Sequence, residues 1–155
     1  MKFIKVIIGS IATLIGAFIF FLLWSTIEDY NPQPKKILTQ QKAPVLMKDT
    51  FSILIWNIGY AGLGSDMDFF YDGGEKMRTT KKRAGKNFQN ILTDLRKAPN
   101  PDFILLQEVD INSKRSFNRN QVEAIKTNMD PYNWFFAYNY RVNFVPIPLG
   151  NPLGK

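Results

Sequence analysis

An uncharged, mostly apolar run occupies positions 6–27, where 16 of 22 residues are apolar. At about 1.5 Å per residue, a helix over this run is roughly 33 Å long and can cross a hydrocarbon core of about 30 Å. Lys2 and Lys5 precede the run and Glu28 and Asp29 follow it. The positive-inside bias therefore puts residues 1–5 in the cytoplasm and everything after residue 28 outside, in a periplasmic or extracellular space. Trp24 stands where an interfacial aromatic belongs. A cleaved signal peptide competes with the anchor, but its apolar core is about 7–15 residues long and ends at a small-residue cleavage site. Here the run is longer, and 24–28 (Trp-Ser-Thr-Ile-Glu) has no Ala-x-Ala pattern. A helix buried in a soluble core is the third alternative.

Past the anchor the pattern changes twice. Residues 28–49 are rich in Pro, Gln and Lys without a period and read as a linker or stalk. From residue 50 the apolar positions alternate between strand and helix patterns. The run 51–56 (Phe-Ser-Ile-Leu-Ile-Trp) is apolar on both faces, as expected of a strand covered on both sides. Ala84, Phe88, Ile91, Leu92 and Leu95 then fall at helical spacing between Arg78 and Lys97, with cations around them, until Pro99 and Pro101 stop the helix. A second buried strand is predicted over 102–108, a short helix over 121–129 and an aromatic strand over 133–138. The βαβ order points to an α/β sheet. Five Pro and Gly residues punctuate the tail 145–154, which reads as a loop.

Composition narrows the chemistry. With neither Cys nor His, the chain has no disulfide framework, no thiol nucleophile, no imidazole base and no Ser/His/Asp triad. Carboxylates, amides, Lys, Arg, Tyr and hydroxyls remain. The formal charge is +7, and +5 once residues 1–27 are set aside. That mild excess suits ordinary solubility, anionic headgroups or a phosphate-bearing substrate equally well.

The two strands carry polar residues where α/β proteins tend to place working groups, at their C-terminal ends: Asn57 after the first, Gln107 and Glu108 after the second. A carboxylate directly after an apolar strand is costly unless it is exposed, paired or bound to a cation. A hard divalent ion such as Mg²⁺ would compensate Glu108, and so would a structural salt bridge.

These residues resemble a family. The segments 55–59 (Ile-Trp-Asn-Ile-Gly) and 101–110 (Pro-Asp-Phe-Ile-Leu-Leu-Gln-Glu-Val-Asp) look like the first two motifs of the endonuclease/exonuclease/phosphatase superfamily, which has the deoxyribonuclease I fold. The segment 139–146 (Asn-Tyr-Arg-Val-Asn-Phe-Val-Pro) resembles the third strand and following loop of exported bacterial members. The resemblance implies the N-terminal half of a two-sheet α/β sandwich over residues 50–155. It also implies that Glu108 is the carboxylate ligand of a catalytic Mg²⁺ (or Mn²⁺) and that Asn57 orients the metal shell or the scissile phosphate. Gln107, Tyr140 and Arg141 would be substrate contacts, with a strand-edge aromatic and a solvated cation as the alternative for the last two. Arg115 reads as a phosphate contact or a surface cation.

The implied function is hydrolysis of a phosphodiester or phosphomonoester, in nucleic acid, a sphingolipid headgroup or an inositol phosphate, with no protein partner identifiable. The histidines expected of the family are absent, so the chain is expected to be catalytically incompetent alone. The alternative is a non-catalytic membrane-tethered binding module or a gene remnant. Asp66, Asp68 and Asp72 hint at a calcium loop but lack its spacing, Gly59, Gly62 and Gly64 form no phosphate-binding fingerprint, and Lys81, Lys82 and Arg83 read as a solvated helix face.

Overall fold

The structure, a computed structural model, describes residues 2–27, 30, 36–39, 47–68, 72–76, 78–130, 132–139 and 141–142. The chain mixes helix and strand, with a small parallel sheet and one long apolar N-terminal helix. That helix, α1 (Lys2–Ile27), is long and apolar enough to cross a membrane, and it takes in the two lysines expected to precede it. Thr13 Oγ1 and Thr26 Oγ1 donate to the carbonyls of Gly9 and Leu22 at 2.9 Å, so the hydroxyls are satisfied within the helix.

Strand β1 (Lys36–Thr39) falls inside the stretch 28–49 read as a linker or stalk. A strand of four residues among Pro, Gln and Lys is too short to show a period of two. It pairs antiparallel with β4 (Trp134–Phe136). The aromatic strand is thus shorter than 133–138 and forms a separate two-stranded sheet.

The parallel sheet joins β2 (Ile53–Asn57) to β3 (Phe103–Gln107), in a register pairing Ile53 with Phe103 and Asn57 with Gln107. The crossover between them contains α2 (Lys81–Lys97). Thr80 caps this helix, its hydroxyl accepting from Arg83 N–H at 3.3 Å, so the helix starts three residues later than its cationic surroundings suggested. Arg96 and Lys97 sit in its last turn, favourable to the helix dipole. Helix α3 (Gln121–Asn128) is capped by Asn120, whose side chain accepts from Glu123 N–H at 3.0 Å.

One core holds these elements together. Phe88, Ile91, Leu92 and Leu95 of α2 meet Ile125 and Met129 at α3, with Leu54, Trp56, Ile104 and Leu106 of the sheet packed against them. The expectation that both strands are covered on both faces is therefore corrected. Burial alternates along each strand, and Ile53, Ile55, Phe103 and Leu105 on the other face remain exposed. The helices form a single layer, and no described residue covers the second face. At the start of the strands, Asp102 Oδ2 accepts from Ser52 N–H at 2.8 Å and Ser52 Oγ at 2.9 Å, and Lys48 pairs with Oδ1. This clasp fixes the register at the edge of the sheet opposite Asn57 and Gln107.

Candidate functional site

Both parallel strands leave the sheet through left-handed backbone. Gly59, Tyr60 and Ala61 have φ of 52°, 43° and 59°, and Glu108 has φ of 54°. For residues with a Cβ this region costs about 1–2 kcal/mol each, and such strain concentrates at functional sites. Two backbone bonds tie the departing segments together: Ile58 N–H to Gln107 O at 3.1 Å and Tyr60 N–H to Glu108 O at 2.9 Å. The turn is further fixed by Asn57 Oδ1, which accepts from Gly59 N–H at 2.9 Å.

The other end of the same amide donates to the carboxylate. Asn57 Nδ2 lies 2.9 Å from Glu108 Oε1, so the structure brings together two residues 51 positions apart that the sequence singled out. The strain at Glu108 and the bond from Asn57 hold the carboxylate in one place, at the C-terminal edge of the exposed sheet face.

Arg115 is the third member. It lies in a 3-10 turn (Lys114–Ser116), and its Nε donates to both oxygens of Asp110, at 3.2 and 3.1 Å, while Nη2 donates to Oδ1 at 2.9 Å. The third nitrogen, Nη1, stands 3.8 Å from Glu108 Oε2, beyond hydrogen-bond range. Below it the guanidinium stacks on the Tyr60 ring, 4.2 Å from its centre. A Cβ at Gly62 would collide with that ring, which explains glycine there.

Gln121 locks the base of the cluster. It is 1% exposed, its Nε2 donates to Tyr60 O at 2.8 Å, and its Oε1 accepts from Asp110 N–H at 2.9 Å. Burial works against the Arg115 charge, but the hydrogen bond and attraction of Asp110, with Glu108 and Tyr60 adding to it, hold its pKa above the ordinary value. Burial pushes the Tyr60 hydroxyl up to about 12, against the attraction of Arg115 and with help from Glu108 and Asp110. The phenol is thus neutral at physiological pH and is not a base.

Asn57, Gln107, Glu108 and Arg115 line one open hollow of about 1490 Å³, and Arg141 lines it too. Arg141 lies against the rings of Tyr30 and Tyr138, 4.9 and 5.6 Å from their centres. Gln107 is exposed at the strand end, with its carbonyl in the sheet-end bond. Tyr140 lies outside the described residues. The acidic loop is tied internally: Asp66 Oδ2 accepts from Thr79 Oγ1 at 3.3 Å, its Oδ1 faces Arg83 at 3.5 Å, and Asp68 Oδ1 accepts from Lys76 N–H at 3.1 Å. Lys81, Lys82 and Arg83 are exposed.

Sequence reasoning assigns no role to Asp110, Tyr60 or Gln121, although Asp110 ends the 101–110 motif and Tyr60 directly follows the 55–59 motif. The available signal was an acid two residues beyond Glu108 with an arginine five further on. Among the described residues no three acidic, His or Cys side chains cluster in metal-ligand fashion. The donor set at hand is one half-buried carboxylate beside an amide. That suits Mg²⁺, which commonly takes one or two protein carboxylates and fills its shell with water and substrate phosphate. No protein-family model matches the chain, and no curated protein and no solved structure matches it.

Proposed function

We propose that the chain is a membrane-anchored module of a divalent-cation-dependent phosphoesterase with a deoxyribonuclease I-like fold, its N-terminus cytoplasmic and residues 28–155 outside. The observation that carries the reading is the 2.9 Å bond from Asn57 Nδ2 to Glu108 Oε1 at the ends of adjacent parallel strands. Glu108 would hold Mg²⁺, with the Asn57 amide fixing the carboxylate. When bound, that cation would polarise a phosphoryl oxygen and steady charge on the leaving oxygen. The chain's own residues contribute position and charge. Asn57 and the strained backbone at Glu108 prevent the carboxylate from swinging away, and the open hollow admits a bulky ester.

The reading is tested with the full chain in detergent micelles. Mn²⁺ uptake, followed by the loss of the free-ion electron paramagnetic resonance signal, is expected for the wild type and is expected to weaken at least about tenfold in Glu108→Gln. Uptake unchanged by Glu108→Gln removes the carboxylate from its role. Release of p-nitrophenolate from bis-p-nitrophenyl phosphate with Mg²⁺ reports hydrolysis, and release that survives Glu108→Gln overturns the assignment.

A second reading, a tethered module that binds without hydrolysis, is favoured by one observation. The exposed sheet face presents Ile53, Ile55, Phe103 and Leu105 to solvent at 45–65% exposure, and a contiguous apolar patch of this kind is often an interaction surface. Cation uptake without p-nitrophenolate release selects it.

A further inference from the structure

Arg115 is built into the molecule more firmly than a surface cation. Three hydrogen bonds fix its Nε and Nη2 on Asp110, which is 8% exposed, and Asp110 is in turn held by Gln121. Asp110 uses up one edge of the guanidinium. Nη1 is not engaged by Asp110 and stands 3.8 Å from Glu108 Oε2, too far for a hydrogen bond, and both residues line the hollow. A guanidinium held on one edge by a buried carboxylate has its second edge oriented before any ligand arrives, so little side-chain entropy is lost on binding. Planar two-donor edges match phosphate oxygens in geometry and charge.

We infer that Arg115 is an anion-binding residue that takes one phosphate group in the hollow beside Glu108, with Asp110 as its positioning residue. The inference rests on the phosphoester reading only for what the phosphate belongs to; the binding itself needs no cation. It carries a consequence of opposite sign for the two ligands. Glu108 repels the phosphate that Arg115 attracts, and Arg115 repels the cation that Glu108 attracts, so removing either residue weakens one ligand and favours the other. A purely structural salt bridge predicts no such reciprocity.

The test uses the full chain in micelles, with inorganic phosphate and Mn²⁺ titrated separately, phosphate by ³¹P line broadening and Mn²⁺ by the free-ion resonance. Arg115→Lys keeps the charge but loses the fork, and phosphate affinity is expected to fall about tenfold, the size of one charge-assisted hydrogen bond. Asp110→Asn with Arg115→Gln removes the ion pair without leaving a buried charge alone, and phosphate binding is expected to fall further.

Glu108→Gln leaves the Arg115 anchor intact and is expected to tighten phosphate binding, which decides the matter even where the Arg115 variants do not fold. Phosphate affinity unchanged in Glu108→Gln, or no phosphate binding by the wild type with or without Mn²⁺, overturns the assignment. So does parallel loss of both ligands in a folded Arg115→Lys. A wild type that binds phosphate with these changes but takes up no Mn²⁺ supports Arg115 and refutes the cation reading instead.

Discussion

Glu108 and Asp102 stand at opposite ends of β3, and their surroundings treat the two carboxylates differently. Glu108 is strained, half-exposed and shared between an amide and a distant guanidinium. Asp102 is fully engaged: Lys48 first, then the Ser52 N–H and hydroxyl, hold its carboxyl down at about 2, against 3.8 ordinarily. The sign follows from linkage. A folded-state pKa below the unfolded value contributes stability that is complete above the unfolded value and is lost as pH falls through the folded one. The clasp is therefore fully effective above about pH 4 and gone near pH 2. Asp102→Asn is expected to lower the urea midpoint at neutral pH and to flatten its fall between pH 4 and 2, the two proteins converging at the acid end. Parallel curves with a constant gap would show that the clasp acts through shape rather than charge.

At the scale of elements, stability depends on a helix whose apolar face was legible. The α2 apolar positions Ala84, Phe88, Ile91, Leu92 and Leu95 recur at helical spacing, and all are buried. Phe88 is 1% exposed at the centre of the core, so Phe88→Ala is expected to cost about 3–5 kcal/mol, read from the urea midpoint at unchanged slope. A loss under about 1 kcal/mol would mean that α2 is not held by this core. Strands β2 and β3 were legible as apolar runs, and their polar ends pointed to Asn57 and Glu108. Three things were not. Apolar residues on both faces of a strand do not say which face is covered, because composition is blind to what lies beyond the sheet. Strand β1 has four residues and no period, so only its pairing with β4 defines it. Asp110, Gln121 and Tyr60 acquire their roles through contacts up to 61 positions apart, and a cluster closed by tertiary packing leaves no local pattern.

For the whole molecule, the proposed placement of the site outside the cytoplasm depends on how α1 lies in the bilayer. Orientation is set chiefly by Lys and Arg near the ends of a span, with acidic residues contributing little. Lys2 and Lys5 are the cations at the N-terminal end, and Glu28 and Asp29 follow the other. The absence of cysteine makes the test clean, since one introduced thiol is the only one in the chain. Ser65 is exposed in the loop after β2, so Ser65→Cys reports which side the folded part occupies. In intact cells a membrane-impermeant maleimide is expected to label Ser65→Cys fully. Adding Lys2→Glu and Lys5→Glu removes the bias and is expected to leave a fraction protected until the membrane is opened. Full protection of Ser65→Cys in intact cells would invert the topology and put Glu108 and Arg115 on the cytoplasmic side. Labelling that is complete but found only on soluble protein would mean that the 6–27 run is removed as a signal rather than kept as an anchor.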